Sequence, residues 1–151
     1  MNRSSYSFTV LGRPAGKQRP LFVRRGKFTK AITREMTVNY ENTIKEEFVR
    51  QCDPDRLLDG PLGIRIECYH YIPKSTSKKK RELMISHSIR PTTKPDADNI
   101  MKVVCDALNG VAYGDDKQIV SWAGVKRYGE QPRVEVVIWE LNEDACDGGQ
   151  G

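Results

Sequence analysis

Five carboxylates, Asp96, Asp98, Asp106, Asp115 and Asp116, fall between residues 96 and 116 of this chain and enclose Lys102, with Lys94 just ahead of them. Carboxylate oxygens at this density suit a hard divalent cation. Mg²⁺ in particular is commonly held by a few protein carboxylates while waters and substrate phosphate oxygens fill its remaining positions. The rest of the chain has the opposite character, since the formal net charge is +5. An acidic cluster set in a basic protein is the pattern expected where the basic remainder holds a polyanion and the acids work on it.

The basic residues are themselves clustered. From Met1 to Arg34 there are nine Lys or Arg residues and no Asp or Glu, densest at Lys17, Arg19, Arg24, Arg25, Lys27 and Lys30, with Phe22 and Phe28 interleaved. A second run, Lys74 to Lys94, carries Lys78-Lys79-Lys80-Arg81 and Arg90 with Glu82 as its only acid. One such run is as readily a solvated loop or helix face. Two runs flanking a set of carboxylates favour a phosphate backbone, whose neutralisation releases counterions.

Length and patterning bound the scaffold that must position these residues. A chain of 151 residues with 38% hydrophobic content is the size of one domain with one core. Residues 1–142 are expected to form that domain, and residues 143–151, acidic and ending Gly-Gly-Gln-Gly, a disordered tail. Neither a bilayer-length apolar run nor a signal-peptide core is present, so a cytoplasmic protein with no membrane partner is expected. Cys52, Cys68, Cys105 and Cys146 are scattered without Cys-x-x-Cys or His at ligand spacing, which predicts reduced thiols and no zinc site. His70 and His87 stand alone, and a packing or surface role is expected for each.

The periodicities predict an α+β fold without repeats: one mixed sheet of about four strands packed with two main helices. Tyr6, Phe8 and Val10 alternate with polar residues as a first strand, and residues 13 to 33 form a long loop or hairpin. Met36, Tyr40, Ile44 and Phe48 recur every four residues, predicting a helix over 35–51. After Asp59-Gly60-Pro61, a second strand carries Leu62, Ile64, Ile66 and Cys68 on one face. The Ser75-Thr76-Ser77 cluster offers a cap for a short basic helix over 78–85.

The next helix carries the acids. Ile100, Val103, Val104, Ala107 and Leu108 make an apolar stripe, Asp98 is the natural N-cap, and Asn109-Gly110 supplies the stop. Its polar face then presents Asp98, Lys102 and Asp106. Two strands follow, Gln118–Lys126 and Arg133–Glu140, joined by a hairpin at 128–132. Asp115-Asp116 meets the start of the acidic helix only if the chain doubles back over about 15 Å, at roughly 1.5 Å of rise per residue. Residues 110 to 117 are long enough for that return, which the spacing permits without compelling.

Each acid also has a plain structural reading. Asp96-Ala97-Asp98 taken alone is more often a turn and a cap than a site. A calcium EF-hand loop starting at Asp96 is excluded, because Met101 and Ala107 stand where Gly and Glu are needed. A sugar-nucleotide transferase Asp-x-Asp is conceivable, but the chain is short for one and lacks a Gly-rich phosphate loop. Lys102 between Asp98 and Asp106 could equally be an exposed pair contributing a few tenths of a kcal/mol.

The run Lys94-Pro-Asp-Ala-Asp-Asn-Ile-Met-Lys102, then Asp106-Ala-Leu-Asn-Gly110, then Asp115-Asp-Lys-Gln-Ile-Val120, resembles the RusA family of Holliday junction resolvases. The likeness is strong over 94–126, looser over 5–93, and greatest to the phage- and prophage-borne branch, which shares a segment such as Gly16-Lys-Gln-Arg-Pro20. It implies a homodimeric Mg²⁺-dependent endonuclease, with Mn²⁺ as a substitute metal, acting on four-way junctions and branched DNA in recombination and repair by paired symmetric nicks. Asp96, Asp98 and Asp116 match the family's essential carboxylates, with Asp115 and Lys102 matching supporting positions. Metal ligation would fall to Asp96, Asp98, Asp115 and Asp116. DNA contacts would fall to Lys17, Arg19, Arg24, Arg25, Lys27, Lys30, Lys78, Lys79, Lys80, Arg81 and Lys94. Phe22, Phe28 and the loop after Pro73 are the candidates for opening the junction. Two alternatives stand beside this reading: a non-catalytic protein that binds branched DNA, and a nuclease for flaps or forks.

Overall fold

Alternating apolar residues build a four-stranded sheet, and the apolar stripes of two helices pack on one of its faces. A computed structural model describes residues 4–16, 21–25, 28–32 and 35–141. The elements run β1 (Ser5–Leu11), β2 (Leu21–Arg25), β3 (Phe28–Ile32), α1 (Glu35–Cys52), β4 (Leu62–His70), α2 (Lys78–Ile85), α3 (Ala97–Leu108), β5 (Ile119–Tyr128) and β6 (Arg133–Glu140), with a 3-10 turn at Asp116–Gln118. The main sheet has the order β1-β6-β4-β5, and β2 with β3 forms a separate antiparallel pair. This is the expected small α+β domain with a mixed sheet. Among the described residues no helix is long and apolar enough to cross a membrane.

The strand alternation decides which sheet face is dry. Tyr6, Phe8 and Val10 of β1, Leu62, Ile64, Ile66 and Cys68 of β4, and Val134, Val136 and Ile138 of β6 are buried against the helices. Residues between them, such as Arg65 and Val137, face water. Helix α1 brings Ile44 and Phe48 onto this face, where Phe48 meets Tyr6 and Phe8 edge-on at 5.4 Å. Helix α3 adds Ile100, Val103, Val104, Ala107 and Leu108. At about 1.5–3 kcal/mol for each large buried aliphatic side chain, this stripe fixes the helix that carries Asp98 and Lys102.

Two connections differ from expectation. The last two strands are not a hairpin: β4 lies between them, parallel to β5 and antiparallel to β6. The crossover from β4 through α2 and α3 returns the chain parallel to β4, and the short connection at 129–132 then passes the end of β4, where the Gly129 amide donates to the His70 carbonyl at 3.1 Å. The second correction concerns the start of α3. Its N-cap is Asp96, in extended backbone and without a side-chain cap bond, so Asp98 falls in the first turn. The helix begins at Ala97 and leaves both carboxylates directed outward rather than consumed by capping.

Other expectations hold in detail. The segment over 13–33 contains the β2–β3 hairpin, and the basic helix spans Lys78–Ile85 with the Ser77 hydroxyl accepting from the Lys80 amide at 3.3 Å. Cys52, Cys68 and Cys105 are buried unbridged thiols. His70 is buried at the end of β4, and burial lowers its pKa, so it packs as a neutral ring. Residues 143–151 lie outside the described residues.

Candidate active site

The return of the chain from α3 is produced by one buried side chain. Gly110, at φ +80°, turns the backbone, and its amide donates to the Tyr113 carbonyl at 2.7 Å. Tyr113 is fully buried and its hydroxyl donates to the Cys105 carbonyl, back on α3, at 2.7 Å. The Leu58 amide holds the same loop from the other side by donating to the Ala112 carbonyl at 2.8 Å. The chain is thereby folded against the helix it has just left.

The next residues form a capped turn. Asp115 accepts from the Lys117 amide at 2.9 Å, and Gln118 Oε1 accepts from the amides of Gly114 at 3.2 Å and Asp115 at 3.1 Å. Together these make a capping box around Asp116. The Lys117 amide is the main reason the Asp115 carboxyl is held below its ordinary range. The other end of the Gln118 amide donates to the Gly60 carbonyl at 3.0 Å, tying the turn to the loop before β4. That loop is anchored in turn: Glu140 accepts from Arg56 at 2.8 and 2.9 Å and from the Asp59 amide at 2.7 Å.

The result is a groove of about 870 Å³ between α3 and the β4–β5 edge of the sheet, with Asp98, Lys102 and Asp116 all on its lining. Its floor and walls are apolar, including Ile66, Ile100, Met101 and Val125, while Arg90 and Lys126 add positive charge. Lys126 Nζ donates to the Thr93 carbonyl at 2.6 Å, which holds the segment before α3 against β5. Burial pushes the Cys105 thiol up to about 11, with Asp116 and Asp106 adding to the rise and Lys102 opposing it.

Of the residues expected at the site, Asp98, Lys102 and Asp116 share the groove, whereas Asp96 and Asp115 are exposed beside it and do not line it. Among the described residues no three His, Cys, Asp or Glu groups stand close enough to hold one metal ion together. Two carboxylates on one groove lining nevertheless suit a hard cation that retains waters and takes oxygens from its substrate. The donor set thus fits Mg²⁺ chemistry.

The basic residues fall into three groups. Lys78, Lys79 and Lys80 are exposed on α2, and the Arg81 guanidinium stands 4.0 Å from Glu130. Lys94 is exposed just before α3. Arg24, Arg25 and Lys30 belong to the β2–β3 hairpin, while Lys17, Arg19 and Lys27 lie outside the described residues. The base of that first arm is well placed. A Cβ on Gly16 would stand 2.8 Å from Asn99 Cβ and 2.9 Å from Pro95 Cβ, so the arm leaves the body of the protein directly from the start of α3. Arg13, slightly upstream, lies 4.2 Å over the Tyr71 ring.

Four contributors were not singled out from sequence: Gln118, Arg90, Lys126 and Trp122. Gln118 was legible in principle, because Asp115-x-x-Gln118 has the spacing of a capping box. Arg90 lay within a recognised basic run. Trp122 and Lys126 reach the groove only through the pairing of β5 with β4, which local spacing does not encode.

Comparison with known proteins shows the family. The chain is 38% identical over 146 aligned residues to YqaN of Bacillus subtilis (strain 168), an uncharacterised protein, covering 89% of this chain and 96% of that one. The family described as endodeoxyribonuclease RusA matches residues 12–139, a span that takes in α3, the Asp115–Asp116 turn and the whole groove. The chain belongs to the RusA family of endodeoxyribonucleases.

Proposed function

We propose that this protein is a Mg²⁺-dependent structure-specific endonuclease that resolves four-way DNA junctions by paired nicks, acting as a homodimer. The observation that carries the reading is the shared groove of Asp98, Lys102 and Asp116, in a chain whose family is one of endodeoxyribonucleases. Asp98 and Asp116 would hold the cation, with Asp96 and Asp115 beside them as further oxygen donors. Bound there, Mg²⁺ (or Mn²⁺ in its place) supplies Lewis-acid polarisation of the phosphate and a lowered pKa for water.

The chain's own residues do the rest. Lys102 brings a cation to the groove wall, where it stabilises the charge that accumulates on the phosphate in the transition state. The Gln118 capping box keeps Asp116 facing α3, so little reorganisation is needed when the substrate arrives. Lys78, Lys79, Lys80, Lys94 and the basic hairpin supply sequence-independent contacts to phosphates, which set affinity and its salt dependence. The apolar floor of the groove lowers the local dielectric on that side of the site and so strengthens the electrostatic contacts beside it.

The test is substrate competition. Labelled four-way junction should be nicked in preference to flaps, forks and linear duplex, with Asp116→Asn abolishing cleavage while junction binding persists. Loss of binding in step with cleavage, in a variant that folds normally, would contradict a metal-holding role for Asp116.

A further inference from the structure

Strand β5 carries one residue more than its pairing with β4 requires. Leu62 pairs with Ile119 and Gly63 with Ser121, so Val120 is the extra residue. An insertion of this kind reverses which side chains face which side of the sheet, and bulges beside active sites re-aim a side chain. Its effect here is specific. Simple alternation from Ile119 would put Ser121 and Ala123 on the helix-covered face. With Val120 inserted, Trp122, Gly124 and Lys126 occupy that face instead, laterally paired with the buried Ile64, Ile66 and Cys68. All three line the groove that holds Asp98, Lys102 and Asp116.

The middle position of the three is open. Outside its chain neighbours, a Cβ on Gly124 would meet only the Ile66 carbonyl oxygen, at 3.4 Å. A slot is therefore left over Gly124 between Trp122 and Lys126, and Ile100 and Met101 of α3 line the same groove. Lys126 is held in place by its bond to the Thr93 carbonyl. Trp122 is 66% exposed, the most exposed large hydrophobic residue described, although its lateral partner Ile64 is fully buried.

The geometry points to a nucleobase subsite: an unstacked base of the bound DNA enters the slot over Gly124 and stacks on Trp122, with its phosphate toward Lys102 and the carboxylates. This rests on the proposed nuclease reading and deepens it by naming the feature of the substrate that is recognised. The occupant follows from the lining. One groove joins an apolar slot and an exposed aromatic ring to the cations Lys102 and Arg90, so its ligand has a flat apolar part and an anionic part. A nucleotide has both. The volume of about 870 Å³ falls within the range of pockets that enclose a small molecule. A base inside a duplex has both faces covered by its neighbours, so only an unpaired or readily unstacked base can enter. The slot thereby favours strands whose stacking is interrupted, as at a branch point. An indole accepts the face of any base, so the subsite reads stacking rather than sequence.

The test measures binding in EDTA, where metal-dependent cleavage cannot interfere. The probes are a thymidylate octamer and an abasic octamer of the same charge. In a Trp139→Phe chain Trp122 is the sole remaining tryptophan, and its fluorescence should be quenched by the thymidylate octamer but not by the abasic one. In the otherwise unaltered chain, Trp122→Ala and Gly124→Val should each weaken thymidylate binding by about five- to a hundredfold, as loss of one base–aromatic stack does, and leave abasic binding within about twofold. Trp122→Phe should keep most of the affinity, and all variants the parent's far-UV circular dichroism spectrum. Equal quenching by the two octamers would overturn the inference, as would unchanged thymidylate affinity in both Trp122→Ala and Gly124→Val. Equal losses for both octamers, with a fall in sedimenting mass, would also overturn it and assign the ring to a contact between copies. Thymidylate-specific quenching in a chain that nicks no DNA would leave the subsite standing and refute the proposed function. Junction nicking by a chain whose Trp122 does not respond to bases would do the reverse.

Discussion

The side-chain amide of Gln118 donates to the carbonyl of Gly60 at 3.0 Å while its oxygen accepts from the amides of Gly114 and Asp115, so one residue fastens the Asp115–Asp116 turn to the loop before β4. Removing both functions should loosen Asp116 without touching DNA-facing charge. Gln118→Leu is expected to lower kcat by about ten- to a hundredfold, as small misplacements of catalytic groups do, with junction affinity within about twofold of the parent. Single-turnover cleavage at saturating enzyme, beside a binding titration, measures both. An unchanged rate would show that the turn is held without Gln118.

Gly16 marks where the first basic arm meets α3. Because a side chain there would overlap Asn99 and Pro95, Gly16→Val must shift either the arm or the first turn of the helix, which carries Asp98. Cleavage is expected to fall by about tenfold or more and the salt dependence of binding to weaken as the arm's phosphate contacts are displaced. Binding titrations across a salt series check the second point. The same log–log slope as the parent would mean that the arm reaches DNA by another route.

Tyr113 is responsible for doubling the chain back along α3. In Tyr113→Phe the ring still fills its place but the bond to the Cys105 carbonyl is lost. That carbonyl keeps the Asn109 amide at 3.1 Å as a partner. The expected loss is therefore that of one hydrogen bond, about 0.5–1.5 kcal/mol in a denaturant titration. A loss above about 3 kcal/mol would mean that the hydroxyl supports more than this contact.

Glu140 provides the pH test of the scaffold. The bidentate Arg56 guanidinium, helped by the Asp59 amide, holds its carboxyl below the ordinary value of 4.5. A carboxyl lowered on folding stabilises the native state above its unfolded pKa and loses that contribution as pH falls through the folded value. Glu140→Gln should thus be less stable than the parent by about 1–3 kcal/mol near pH 7, with the gap closing below about pH 4.5. Equal stability at neutral pH would deny the anchor any net role.

What was legible in the sequence was local. The stripe Ile100, Val103, Val104, Ala107 and Leu108 is a helix because its period is helical, and the same residues are buried as that period requires. The β5–β6 hairpin was misread because turn residues between two strands do not say whether a third strand, here β4, intervenes. Asp98 has the residue type of a cap two positions before the apolar stripe, yet the helix starts at Ala97 and the cap is Asp96. That Asp98 and Asp116 line one groove follows from a return of the chain held by Tyr113, whose bond to the Cys105 carbonyl has no sequence period. For the same reason Trp122, a strand residue like many others by pattern, becomes notable only once β5 is found at the edge of the sheet.

The most direct test is nicking of a labelled four-way junction against matched linear duplex, with Mg²⁺ or with EDTA, beside Asp98→Asn. Paired, symmetric nicks in the junction that require both Mg²⁺ and Asp98 are the expected result. Tight junction binding without cleavage under any divalent metal, or cleavage that survives EDTA and Asp98→Asn, would contradict the assignment of the Asp98–Asp116 groove as a metal-dependent resolvase site.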